Sequence, residues 1–167
     1  ALASEPADTD EFLVSDAGTL KRIDYSLIKG SGKIAQVVST TKSDVTSSTS
    51  TSYADITGMA ASITPSATSS KILVMYGINV SNTETDRNDF VRLMRDSTDL
   101  MDPAHYFRHQ NNTVVFHISN IFLDSPSSTS ALSYHLEWKA ESGTVYLNRR
   151  GADSTVRGAS TITVMEV

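Results

Sequence analysis

From residue 31 onward, apolar side chains recur at every second position in short runs, separated by stretches rich in Ser, Thr, Asn and Asp. That period of two marks strands with one buried face, because successive side chains of an extended chain point to opposite sides. The clearest case is residues 130–139, where Leu132, Tyr134, Leu136 and Trp138 alternate with His135, Glu137 and Lys139. Residues 71–80 set Ile72, Val74, Tyr76, Ile78 and Val80 on one side. The other side carries Leu73, Met75 and Gly77, so both faces read as buried. That fits a strand central to the sandwich or one in a subunit contact. Further strands are predicted over residues 34–41, 53–64, 89–95, 113–123, 144–148 and 160–167. In 113–123, Val114, Phe116, Ile118 and Phe122 lie opposite His117 and Ser119. Residues 42–52 (KSDVTSSTSTS) suit either disorder or an exposed edge. An irregular loop is expected through Pro103 and His109. No window of 11 or more residues carries a helical period. About eight strands joined by polar turns give an all-β fold, an antiparallel β-sandwich of jelly-roll type spanning residues 31–167.

Residues 1–30 read differently. ALASEPADTD is small, polar and acidic, and is expected to be a flexible lead-in. The lack of an initiator Met reads as a processed chain or a piece of a longer one. Phe12–Val14 and Leu20–Ile23 flank Asp16-Ala-Gly-Thr19, and Gly18 can supply the positive φ of a tight reversal, so a β-hairpin is predicted. Asp24 is placed to cap one helical turn over residues 25–28, closed by Lys29 and Gly30. A lone hairpin is marginal in water, so this segment is expected to serve as an anchor or linker that packs on something else.

Composition narrows the function classes. The chain has 167 residues and no cysteine, which excludes disulfides, thiolate metal sites and cysteine nucleophiles. A net charge of −5 argues against a nucleic-acid partner, and no apolar run is long enough for membrane insertion. The 25 Ser and 19 Thr suit exposed strand faces and are poor helix material. His105, His109, His117 and His135 show no ligand spacing that marks a metal site. Glu84, Asp86 and Asp89 lack the order of a calcium loop and read as a solvated turn, as do Asp96, Asp99 and Asp102. No GxSxG elbow or phosphate-cradling loop is present, so no enzyme is predicted and no cofactor is implied. Asn79-Val-Ser81 and Asn111-Asn-Thr113 match a glycosylation sequon and are discounted as chance matches in a Ser/Thr-rich chain. Arg149, Arg150 and Arg157 surround Asp153, an arrangement that fixes a loop. The candidate binding segment is Tyr106, Phe107, Arg108, His109, Gln110 and Asn111. It combines an aromatic pair, a cation and amides able to stack on sugar rings or hydrogen-bond a polar partner. The competing structural reading folds Tyr106 and Phe107 back into the core.

The segment LVSDAGTLKRI (13–23) resembles a short element of tail-fibre and other virion proteins of marine tailed bacteriophages. GKIAQVV (32–38), YADITGM (53–59), ITPS (63–66), SSKILV (69–74), FLDSP (122–126), TVYLNR (144–149) and STIT (160–163) are similar to their terminal domain. The resemblance implies a virion structural protein, a homotrimeric tail fibre or spike whose β-sandwich shows its loops to a host glycan or protein. Residues 1–30 would attach it to other virion proteins. The alternative within this reading is a capsid decoration, head fibre or collar protein without receptor binding. The chain departs from the family pattern in a longer polar loop from Asp102 to Asn112, so no family residue transfers onto that loop.

Overall fold

Strands carry nearly all the regular structure of the computed structural model, which describes residues 6–7, 9–28 and 34–167. The chain divides into two units, Ala1–Lys33 and Ile34–Val167.

In the first unit, β1 (Glu11–Asp16) and β2 (Thr19–Asp24) pair antiparallel around a two-residue turn. Ala17 and Gly18 both take positive φ, 50° and 83°, the twist that joins two strands most directly. α1 (Tyr25–Ile28) starts directly after Asp24, and the Tyr25 ring lies 5.9 Å from that of Phe12. At the end of the acidic lead-in, the Ala7 carbonyl accepts the Asp10 N–H and the Asp10 carbonyl accepts the Tyr25 N–H. The expected closure at Lys29 and Gly30, and most of the lead-in, lie outside the described residues.

The second unit is a sandwich of two antiparallel sheets. One holds β3 (Gln36–Lys42), β13 (Ser160–Glu166), β6 (Ile72–Asn82) and β10 (Phe116–Asp124) in that order. β4 (Thr46–Ser48) and β12 (Val145–Leu147) extend the rows of β3 and β13, and β12 pairs with the far end of β6. The other sheet holds β5 (Ala54–Ile63), β11 (Leu132–Lys139), β7 (Arg87–Arg95) and, on the same edge of β7, β8 (Thr98–Asp99) and β9 (His105–His109). Leaving out the short β4, β8 and β12 and renumbering the other eight strands of this unit in chain order, the sheets run 1-8-3-6 and 2-7-4-5. That winding is a jelly roll.

The core is the layer between the sheets. Ile72, Val74, Tyr76, Ile78 and Val80 of β6 face Leu132, Tyr134, Leu136 and Trp138 of β11, all at most 7% exposed. Carboxylates join the sheets at both ends. Asp124 of β10 accepts from Arg95 Nη1 at 2.5 Å and from the Tyr134 hydroxyl at 2.7 Å. Burial and the Asp124 charge keep that hydroxyl protonated well above its ordinary range. At the other end, Asp89 of β7 accepts from Asn82 Nδ2 of β6 at 2.8 Å. A third carboxylate, Glu166, accepts from the Ser66 N–H and Ser70 hydroxyl at 2.7 Å, and from Gln36 Nε2 at 2.7 Å, so it locks the turn after β5 to the end of β13.

One expectation changes. The irregular loop before His109 contains β9, because residues 105–109 complete the free edge of β7. Of the two readings of residues 42–52, the structure shows the exposed edge, with β4 at the border of its sheet. The second face of residues 71–80 is half-buried in the single chain, since no layer within the unit covers the outside of β6.

Two stability predictions follow from this packing. Leu136→Ala removes a fully buried side chain from the centre of the layer and should cost about 2–5 kcal/mol in urea unfolding. Hydrogen bonds from Ser66, then Ser70, pull the Glu166 carboxyl from its usual 4.5 to about 2 despite burial. Its folded-state value is therefore depressed, so its contribution is full above pH 4.5 and fades as pH falls towards 2. Glu166→Gln should lose about 1.5–3 kcal/mol at pH 7, and the gap to the parent should close between pH 4.5 and 2.

Candidate functional site

Each sheet of the sandwich turns one face outward, and the two faces differ in chemistry. On the β5–β11–β7–β9 sheet, register fixes the rows. Tyr106 pairs with Phe90, and Phe90 with Lys139. Arg92 pairs with Glu137, and Glu137 with Asp55. Met94 pairs with His135, and His135 with Ala60. The period of two that sends Tyr134, Leu136 and Trp138 inward forces His135, Glu137 and Lys139 out onto this face.

Arg92 organises its centre. Its Nε donates to Glu137 Oε2 at 2.7 Å and its Nη1 to Asp99 at 2.8 Å, with the guanidinium 4.1 Å from the Tyr53 ring centroid. Burial alone would lower the Arg92 pKa, but Glu137 and Asp99 hold it above its ordinary value. Lys139 Nζ sits 4.8 Å from the same ring and 4.7 Å from that of Phe90. Cations packed on aromatic faces keep the rings in place while leaving their edges wet.

β5 breaks register beside these residues. His135 pairs with Ala60, but Glu137 pairs with Asp55, so residues 56–59 form a bulge opposite Leu136, with Gly58 at φ 83°. The bulge frames an open cavity of about 400 Å³ lined by Asp55, Thr57, Gly58, Ser133 and His135 among others. His135 Nε2 is 3.4 Å from Asp55 Oδ1 and 3.9 Å from Glu137 Oε1. The sequence held a signal for the bulge: buried Ile56 and Met59 are three apart in a strand that otherwise buries every second residue.

The candidate segment 106–111 splits across β9. Tyr106, 70% exposed, and Arg108 project onto the outer face, with Gln110 and Asn111 in the turn that follows. Arg108 pairs with Asp86, at 3.4 Å on the open surface. Phe107 and His109 point into the sandwich. The His109 ring stacks edge-on against Phe107 and Phe116, with centroids 4.8 and 5.1 Å apart. Its Nε2 lies 3.1 Å from Asp89 Oδ2, although neither ring nitrogen makes a well-aligned hydrogen bond. Asp89 is therefore no partner of Glu84 and Asp86, which are solvent-facing beside Arg87 and Arg108. Arg150 and Asp153 form the expected loop clamp, with Nε to Oδ1 at 2.7 Å.

The outside of the other sheet is apolar at one end. Register aligns Val37, Met165, Leu73 and Leu123 in one row and Ser39, Thr163, Met75 and Ile121 in the next. Val37, Ile121 and Leu123 are 50–68% exposed. Among the described residues β10 pairs only with β6, which leaves the other edge of this nine-residue strand, carrying Ile121 and Leu123, without a ladder partner there. Asn112 Nδ2 donates to the Thr83 carbonyl just beyond β6, at the end of the sandwich opposite the Gln36–Glu166 pair.

No family model matches the sequence, and no curated protein matches it. Among solved structures, the chain is similar to the PRD1 vertex protein P5, with 13% identity and a TM-score of 0.48 over 81% of this chain and 99% of that one. It is also similar to the infectious bursal disease virus VP2 subviral particle, with 12% identity and a TM-score of 0.44 over 95% of this chain and 42% of that one. A Gt-strain structure of the same virus gives 14% and 0.45, over 90% of this chain and 40% of that one.

The split of segment 106–111 predicts opposite outcomes for neighbouring residues. Phe107→Ala should cost about 3–5 kcal/mol, whereas Tyr106→Ala and Arg108→Ala should stay within about 0.5 kcal/mol of the parent in chemical denaturation.

Proposed function

We propose that this chain is a non-catalytic structural protein of a virus particle, a homotrimeric tail fibre or spike that displays Tyr106, Arg108, Gln110 and Asn111 to a host glycan or protein. Phe107 and His109 act beneath that surface, holding β9 in register. The observation that carries the reading is the polarity of the sandwich. Residues 34–36 come in at one end, beside Glu166, and the 110–112 turn crosses the other, beside Thr83. Eleven residues of β6 separate the two ends, about 35 Å of extended chain. A domain held at its first residues thus presents its candidate contacts at the far end. The likeness of segments 13–23, 32–38, 53–59, 63–66, 69–74, 122–126, 144–149 and 160–163 to virion proteins of marine tailed phages supports the same role, with residues 1–30 as the attachment segment.

Assembly rests on the apolar outer face. A long strand edge without a ladder partner, such as that of β10, invites pairing with other chains unless something covers it. Three copies burying Leu73, Met75, Ile121 and Leu123 against one another would remove that liability, and weak binding by each tip would multiply into avidity. A capsid decoration or collar protein would use the same apolar face without the Tyr106 surface.

Ile121→Lys should reduce the molar mass measured by light scattering from that of a trimer to that of a monomer while the circular dichroism stays β-rich. A parent protein already monomeric at micromolar concentration would refute the assembly. Tyr106→Ala with Arg108→Ala should abolish competition with phage adsorption while leaving the molar mass unchanged. Retained competition by that variant would favour the decoration or collar role.

A further inference from the structure

Beside Arg92, three ligand-type side chains converge that the proposed display function does not use. His135 and Glu137 stand two apart on the outer face of β11, and Asp55 lies across from Glu137 on β5. One ligand atom from each falls within 4.8 Å of the others. His135 Nε2 lies 3.4 Å from Asp55 Oδ1 and 3.9 Å from Glu137 Oε1. Two ligands bonded at about 2.1 Å to one tetrahedral ion stand about 3.4 Å apart, so small side-chain movements would close this set around a single cation.

The surroundings suit such an ion. Arg92 takes Glu137 Oε2 from Nε at 2.7 Å and from Nη2 at 2.6 Å, which leaves Oε1 turned towards His135. That is the role a supporting residue plays around a metal, fixing the orientation of a ligating carboxylate. Asp99 gives Arg92 a second anionic partner, so the guanidinium is not balanced by Glu137 alone. The bulge at Gly58 opens the cavity of about 400 Å³ beside Asp55 and His135, which leaves room for water or a ligand oxygen at the remaining coordination positions. One imidazole nitrogen with two carboxylates is a donor set for a first-row divalent ion. Calcium and magnesium prefer oxygen throughout.

We infer that Asp55, His135 and Glu137 form a binding site for a first-row divalent cation of the zinc type, with its free coordination positions facing the cavity. The site ties the bulged β5 to β11, so its occupancy should also be felt in stability. The inference is independent of the assembly and receptor reading, since it concerns the opposite sheet from the apolar face and none of Tyr106, Arg108, Gln110 or Asn111.

The test uses the full chain after chelator treatment, titrated with Zn²⁺ by calorimetry and with Co²⁺ by visible absorption. One equivalent should bind with a dissociation constant on the order of micromolar, and Zn²⁺ should raise the melting temperature. His135→Asn and Asp55→Asn should each weaken binding by about tenfold or more and abolish the thermal shift. Asp55 is largely exposed, so its variant keeps the fold. Arg92→Gln should weaken binding while leaving the one-to-one stoichiometry intact, the mark of a residue that positions a ligand without being one. Lack of saturable binding below roughly millimolar metal, or binding that His135→Asn and Asp55→Asn leave within about twofold of the parent, would overturn the inference and leave these groups a simple ion pair.

Discussion

The dry contact between β6 and β11 is the constraint on which the rest of the second unit depends. β6 is laddered to β10 on one edge and to β13 and β12 on the other, and its inward residues close against Leu132–Trp138 of the opposite sheet. Burying such side chains contributes about 1.5–3 kcal/mol each before entropy is counted. The same closure strips water from every polar group at the rim, and an unmade hydrogen bond there costs more than a made one gains. Asp124, Asp89 and Glu166 answer that demand. Each is a carboxylate supplied with donors from other strands or turns, so the groups that satisfy burial also fix which strand ends meet.

Alternation made the architecture legible wherever one face of a strand was apolar and the other wet. β11 is the plainest instance, and the jelly-roll reading followed from counting such runs. Legibility failed where tertiary partners override local pattern. Residues 105–109 carry no clean alternation, yet the unpaired edge of β7 recruits them as β9, and only then do Phe107 and His109 turn inward while Tyr106 and Arg108 turn outward. β4 is written wholly in Ser and Thr and exists because β12 offers it a ladder. The second face of β6 was ambiguous for a different reason: apolar residues can mark a surface awaiting a neighbour as well as a core, and a single chain leaves that face half-buried. The His135 site was hidden because two of its members are adjacent in alternation but the third, Asp55, is eighty residues away and aligned only by the bulge.

A sandwich offers two outward faces, and here they are written in different alphabets. The face of β3, β13, β6 and β10 is apolar at one end and turns to Thr, Ser, Asn and His towards the other. The face of β5, β11, β7 and β9 carries rings clamped by Arg92 and Lys139, with carboxylates between. Nothing in the core requires this division, because outward positions are free of the packing that fixes inward ones. It is therefore the part of the sequence freest to differ between the faces without disturbing the core.

The antiparallel placement of β3 beside β13, with residues 34–36 at one end and the 110–112 turn at the other, has a mechanical consequence. A pull between those two points runs along the strand axes. The ladder bonds flanking β6 would then share the load in shear, all at once, instead of parting singly as they do when a hairpin is peeled from its tip. A jelly roll wound in this sense is a strut along its length and a zipper across it.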